Sequence, residues 1–224
     1  EDTDQKRFDP SAERELMDSL RWLGIDWDEG PDIGGPCAPY RQSERKPIYQ
    51  RYAADLVQRG HAYTCFCSSE RLAQMRQEQQ KRKQPPRYDG TCRALATAEA
   101  QKRIDAGEPH VVRLRTPRQG KTTAVDLIRG PITVENADLD DYILLKSDGL
   151  ALYHLAAMVD DREMAITHVL RSSEWLPTFP LHVLIYQALE WPQPAWVHLS
   201  VQCLSETVRL SGRGHGSGRC SEVP

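Results

Sequence analysis

Apolar positions recur at helical spacing in three stretches of the chain and alternate, or cluster briefly, in five others. Leu16, Leu20 and Leu23 share one face of a helix that opens after Asp9-Pro10-Ser11. Ser11 caps that helix, Glu13 and Glu15 suit its positive end, and Gly24 stops it. A Gly- and Pro-rich loop covers 30–39, and Pro47 then opens a second helix with Ile48, Tyr52 and Leu56 on one stripe and Gly60 at its end. Both helices read as core packers. Residues 178–190 form a third, with Leu181, Leu184, Ile185 and Ala188 facing inward.

Strands are predicted at 110–115, 124–128, 132–135 and 142–146, with Gly130-Pro131 as a turn. A buried strand is predicted at 166–170. Residues 65–105 are polar and helix-prone, broken by Pro85-Pro86. Short strands flanked by helices suggest an α+β module set into an α/β domain. The implied division is 1–63 for a first α/β part, 64–150 for the inserted module and 151–200 for a second α/β part. Residues 201–224 turn to Gly, Ser and Arg, with Gly212, Gly214, Gly216 and Gly218 alternating, and read as a degenerate, disordered tail.

Composition narrows the class. The 224 residues are 39% apolar and 27% charged, which suits a soluble globular protein and argues against a disordered one. The longest apolar-leaning run, 150–159, is far short of the ~20 residues of a membrane span and contains His154. No leader peptide is visible, so a soluble, cytoplasmic or organelle-matrix monomer with no membrane partner is expected. The net charge of -3 hides a basic run: Arg71, Arg76, Lys81, Arg82, Lys83 and Arg87 against the single acid Glu78. Such a run either neutralises phosphates or forms a solvated helix face.

Four features offer chemistry. Glu1-Asp2-Thr3-Asp4 reads as helix-end electrostatics or as a carboxylate gripping an ammonium group. Tyr153-His154 with Asp160-Asp161 and Glu163 lacks metal-ligand spacing, so its acids read as structural ion pairs or caps. Arg171-Ser172-Ser173-Glu174-Trp175 follows the strand at 166–170, where open α/β sheets bind ligands. Its Arg171 reads as a surface arginine beside a packed Trp or as a carboxylate receptor. Cys65-Phe66-Cys67 with Cys92 supplies three of the four donors of a zinc site, or three buried free thiols.

In order and spacing, several segments resemble the bacterial or organellar long-form glutamyl-tRNA synthetases, which are class I ligases. They are Glu1-Asp2-Thr3-Asp4, the stretch from Leu23-Gly24-Ile25-Asp26-Trp27 to Pro31, Pro39-Tyr40-Arg41-Gln42-Ser43-Glu44-Arg45, Tyr88-Asp89-Gly90 with Cys92-Arg93, Leu145-Lys146-Ser147-Asp148-Gly149, and Val159-Asp160-Asp161 through Ile166-Thr167-His168-Val169-Leu170-Arg171. The resemblance runs from Glu1 to about His198. It implies a Rossmann-like, nucleotide-binding α/β catalytic domain, incomplete here, with an inserted acceptor-stem-binding domain at 64–150. It further implies ATP-dependent activation of L-glutamate to glutamyl-adenylate and its transfer to tRNA(Glu), with Mg2+ assisting and Zn2+ as a structural option.

By that similarity Glu1, Tyr153 and Arg171 bind glutamate, Glu174 and Trp175 lie near ATP, and Arg71, Arg76, Lys81, Arg82, Lys83 and Arg87 meet tRNA. The departures are specific. Ala157 stands where many members have Asn, Ser172-Ser173 where Gly or Ala and then Glu are frequent, and Ala94 where zinc-binding members have His. Arg209-Leu210-Ser211-Gly212-Arg213 replaces the second nucleotide signature, K-[LM]-S-K, leaving Arg209, Ser211 and Arg213 as its remnant, and no first signature is present. The chain is therefore expected to be a fragment with little aminoacylation activity. A glutamyl-queuosine tRNA(Asp) synthetase and a non-catalytic tRNA-binding remnant are the alternative readings.

Overall fold

The computed structural model of the chain describes residues 2–3, 9 and 11–200. Its helices are α1 (Ser11–Trp22), α2 (Lys46–Gln58), α3 (Ser69–Lys81), α4 (Thr97–Asp105), α5 (Tyr153–Glu163) and α6 (Phe179–Ala188). Its strands are β1 (Ala62–Cys65), β2 (Val111–Leu114), β3 (Lys121–Asp126), β4 (Gly130–Glu135), β5 (Ile143–Leu145), β6 (His168–Ser172) and β7 (Ala195–Leu199). Two sheets result: an antiparallel one ordered β1-β2-β5 and a mixed one ordered β4-β3-β7-β6. In the second, β6 and β7 run parallel in continuous register, and the antiparallel β3–β4 hairpin joins β7 through Asp126 opposite Trp196. The hairpin from the 64–150 segment thereby extends the parallel sheet of the 151–200 segment.

One apolar core spans both sheets. It takes Tyr49, Ala53 and Leu56 from α2, Leu114 from β2, Leu144 from β5, Leu155, Met158 and Val159 from α5, Leu181 and Ile185 from α6, and Trp196 from β7. Burying a side chain of this size contributes roughly 1.5–3 kcal/mol, so the common core couples the elements. A smaller cluster of Tyr63, Cys65, Tyr88 and Cys92 sits beneath α3.

Three expectations shift. Helix α1 buries none of its residues, and Leu16 and Leu23 are exposed, so it is not a core packer. It is held instead by polar contacts: Arg41 forks onto Glu13 at 2.8 and 2.9 Å and Arg21 reaches Asp32 at 3.1 Å. In α2 the buried stripe is Tyr49-Ala53-Leu56, one residue off Ile48 and Tyr52, because the Tyr49 hydroxyl turns inward to donate to Asp160. Strand β6 begins at His168 and lies at the sheet edge. Leu170 is 63% exposed there while Val169 and Arg171 face the core side, so β6 is half-buried, not buried.

The paired acids of α5 serve structure. Arg45, 2% exposed, donates to Asp160 at 2.7 Å and to the carbonyls of Cys37 and Pro39, tying the 30–41 loop to the core. Glu163 takes the Tyr52 hydroxyl and Arg51. Among the described residues no helix is long and apolar enough to cross a membrane.

Candidate active site and thiol centre

Parallel pairing sets Arg171 of β6 opposite His198 of β7, so both side chains leave the same face of the sheet. Helix α6 lies over that face and brings His182, while the first turn of α5 brings Tyr153 and His154. Arg171 Nε donates to His198 Nε2 at 2.9 Å, and Nη1 contacts His182 Nδ1 at 2.9 Å. Nη2 is buried and has no hydrogen-bond partner.

The donors and acceptors fix every proton. A guanidinium only donates, so His198 Nε2 and His182 Nδ1 are bare. His198 then carries its proton on Nδ1, which meets the Asp126 carboxylate at 2.7 Å. His182 carries its proton on Nε2 and gives it to His154 Nδ1 at 2.9 Å. All three imidazoles are neutral. Burial, reinforced by the Arg171 charge, lowers His154 to about 4 and holds His182 well below the usual histidine range. Burial also lowers His198, against the opposing pull of Asp126. Arg171 is likewise held below its ordinary value by burial.

The guanidinium is therefore contacted by neutral imidazoles and aromatic faces, with the carboxylates of Asp126 and Asp161 acting on it through space. Its Cζ lies 5.1 Å from the Trp196 ring, 5.7 Å from Phe179 and 6.0 Å from Trp175. Tyr153 stacks on Trp175 with centroids 4.3 Å apart. A half-buried cation with a buried, unfilled donor suits an anion, and its planar fork suits a carboxylate. Of the predicted residues, Tyr153, Arg171 and Trp175 converge here. Glu174 follows Arg171 in the short helical turn Ser173–Thr178, exposed, with Ser172 Oγ 3.5 Å from its carboxylate. Glu1, Arg209, Ser211 and Arg213 lie outside the described residues. Asp2 of the same acidic cluster caps the backbone and hydroxyl of Ser43.

The three thiols do meet. Cys65, Cys67 and Cys92 place their Sγ atoms within 4.8 Å of one another, with Cys67 and Cys92 3.6 Å apart. Four donors at zinc–sulfur distance would lie about 3.8 Å apart in a tetrahedron. The Tyr88 hydroxyl lies 3.3 Å from Cys65 Sγ and 3.4 Å from Cys67 Sγ and accepts from the Cys92 amide at 2.9 Å. Three clustered thiols are donors of the kind zinc takes, while burial pushes the Tyr88 phenol up and keeps it protonated. Burial pushes the Cys67 thiol up to about 11 when no cation is present.

The basic run divides in two. Arg71 is tied to Asp89, Thr91 at 2.6 Å and Cys67 at 3.4 Å, and Arg87 to the Ala137 carbonyl and to Asp138 at 3.2 Å. Arg76, Lys81, Arg82 and Lys83 are exposed on α3 and just past its end.

Asp126, His182 and His198 are the residues that sequence reasoning missed. One signal was available: Thr122, Ala124 and Asp126 form the buried face of β3, and an acid on such a face needs a partner.

Comparison with known proteins gives a consistent frame. The family model described as the catalytic domain of class I tRNA synthetases (E and Q) matches residues 1–217. The chain is 51% identical to a glutamate–tRNA ligase of Acinetobacter baylyi over 213 residues, 95% of this chain and 42% of that protein. It is 48% identical to the glutamate–tRNA ligase of Treponema denticola over 223 residues, 99% of this chain and 44% of that protein. The solved glutamate–tRNA synthetase of Elizabethkingia anophelis superposes with a TM-score of 0.86 at 40% identity, covering 95% of this chain and 45% of that one. The enzyme of Elizabethkingia meningosepticum, solved with its amino acid, gives 0.87 at 40% identity, covering 94% and 44%. The chain spans less than half the length of these relatives.

Proposed function

Because the chain belongs to the catalytic-domain family of class I glutamyl- and glutaminyl-tRNA synthetases, we propose that it carries the glutamate-binding part of a glutamate–tRNA ligase. The observation that carries this reading is the half-buried Arg171 guanidinium, held by two neutral imidazoles with Nη2 buried and unpartnered. A glutamate carboxylate takes that donor, and Tyr153 stacked on Trp175 forms the adjoining wall. Glu1 is assigned to the ammonium end, and Glu174 with Trp175 to the ATP side.

The reaction needs no protein nucleophile. The α-carboxylate of glutamate attacks the α-phosphate of ATP and expels pyrophosphate; the terminal ribose hydroxyl of tRNA(Glu) then takes the acyl group. The contribution of these residues is to orient one carboxylate and to keep water from it. Among the described residues the three thiols are the one group of three or more metal-ligating side chains, and sulfur donors suit zinc rather than magnesium. Cys65, Cys67, Cys92 and Tyr88 would hold zinc as a structural ion that closes the fold around β1 and the Tyr88–Cys92 turn. Arg76, Lys81, Arg82 and Lys83 face the phosphates of the acceptor stem.

The altered second signature, with Gly212 in place of its second Lys, removes a cation from the triphosphate. Adenylate formation by this chain is therefore proposed to be weak, since such a contact is worth several kcal/mol of barrier. The test is calorimetric titration of the chain with L-glutamate, beside tRNA-dependent ATP–pyrophosphate exchange. Arg171→Lys should weaken glutamate binding at least tenfold, and unchanged binding would overturn the assignment. Exchange at the rate of a full-length ligase would overturn the proposed impairment.

A further inference from the structure

Arg171 is held by a residue that is itself held. The Asp126 carboxylate, fully buried, meets four N–H donors: the His198 backbone amide at 2.9 Å, its Nδ1 at 2.7 Å, and the Ile128 and Arg129 amides at 2.9 and 2.8 Å. Arg129 Nε closes the loop by donating to the His198 carbonyl at 3.0 Å. The imidazole can neither rotate nor change its proton without breaking one of these bonds. A free neutral histidine favours the other tautomer, and the carboxylate reverses that preference here.

We propose that Asp126 and His198 are the positioning pair for Arg171. The carboxylate fixes the imidazole with its proton on Nδ1, and the bare Nε2 anchors the guanidinium Nε so that Nη2 points at the ligand carboxylate. This deepens the reading of Arg171 as a glutamate receptor and rests on it. The pair reaches the site from two strands, Asp126 ending β3 and His198 within β7. One residue of the 64–150 segment thus sets the geometry of a site whose other described residues come from 151–200.

The alternative arrangement shows why the tautomer matters. With its proton on Nε2, His198 would set N–H against the N–H of Arg171, and the arginine would swing away. A protonated His198 would do the same and add a second cation. The titratable groups that face Arg171 are Asp126 on β3, Asp161 and Tyr153 on α5, His182 on α6 and His198 on β7. Among these His198 is the titrating group that contacts Arg171 Nε, the fork edge opposite His182.

Two measurements on the full chain test the pair. Nitrogen NMR of histidine-labelled protein reads the tautomer without any ligand: His198 should be neutral and protonated on Nδ1 down to pH values below the ordinary ~6.5. An Nε2–H form, or an imidazolium at that pH, overturns the proposal. Calorimetry then compares L-glutamate with its two monoamides, L-glutamine and L-isoglutamine. His198→Phe keeps the ring against Phe179 and removes the acceptor. It should weaken L-glutamate, and the monoamide that retains the carboxylate met by Arg171, about tenfold. The other monoamide should bind as before. His198→Gln, whose amide oxygen can take the Arg171 Nε proton, should recover most of the loss. An equal loss for all three ligands marks a merely structural residue and overturns the proposal. Loss in Arg171→Lys with none in His198→Phe sinks the positioning pair alone. No effect of Arg171→Lys, or no glutamate binding by the parent chain, sinks the receptor reading and the pair's purpose with it.

Discussion

His154 Nδ1 stands 2.9 Å from His182 Nε2, so a proton arriving on either ring nitrogen beyond the one already shared must break the contact. Burial and the neighbouring Arg171 charge hold His154 at about 4 against the 6.5 of an ordinary histidine. In the unfolded chain both rings protonate near pH 6.5, while in the folded chain they stay neutral. The stability is full above that value and falls as pH drops toward 4, by up to about 3 kcal/mol for His154 alone. Urea unfolding at a series of pH values should show this slope. His154→Gln, which still accepts from His182, should flatten it.

Arg45 and Asp160 make the second buried tie, at 2.7 Å, with Tyr49 also donating to the carboxylate. Removing one partner leaves an uncompensated charge in the core. Asp160→Ala should cost about 3–5 kcal/mol, and Asp160→Leu combined with Arg45→Met should recover much of it. The denaturant midpoint checks this, and an unchanged midpoint in Asp160→Ala would count against any structural role for the pair.

At the thiol centre, the chain purified without chelator should carry one zinc per molecule by metal mass spectrometry. Zinc displaces the thiol protons, and Cys67 begins at about 11. Affinity should therefore fall steeply as pH is lowered. Cys92→Ser should abolish stoichiometric binding. Tyr88→Phe should weaken it and keep the stoichiometry, and indifference of zinc affinity to Tyr88→Phe would remove Tyr88 from the donor set.

Much of the fold is legible from local pattern, because helix periodicity and Gly stops are local properties. Gly24 and Gly60 do end α1 and α2 with positive φ. What pattern misses is tertiary. The strands β1 and β7 went unread, since Ala62–Cys65 and Ala195–Leu199 alternate too briefly to stand out. Leu16 looks like a core residue by spacing, yet nothing among the described residues covers it. Arg171 and Tyr153 were singled out through family resemblance, and the fold brings both against Trp175. Asp126 was not, because its partner His198 lies seventy-two positions away and only strand pairing unites them. The three cysteines were legible as a candidate set, while Tyr88, whose hydroxyl lies against two of the thiols, was not, because only the fold brings it there.

The basic run gives the final test, because the structure divides it by partner. Arg76, Lys81, Arg82 and Lys83 are exposed, and the last three cluster at the C-terminal end of α3, where Lys83 takes a positive φ of 55° and turns the chain. Cations there complement the helix dipole, so their presence alone does not require a nucleic acid. Binding to an acceptor-stem minihelix separates the two roles. If these four meet phosphates, neutralising Lys81, Arg82 and Lys83 together should weaken binding and reduce the slope of log affinity against log salt by about 0.9 for each phosphate no longer neutralised. Thermal stability should barely change, since exposed charges contribute little. Arg71→Ala should behave in the opposite sense. Its bonds to Asp89, Thr91 and Cys67 brace the thiol centre, so its removal should lower the melting temperature and zinc affinity while leaving the salt slope in place. A triple variant with unchanged affinity and slope would return the α3 cations to helix-end electrostatics. Acceptor-stem binding would then have to come from another face of the protein.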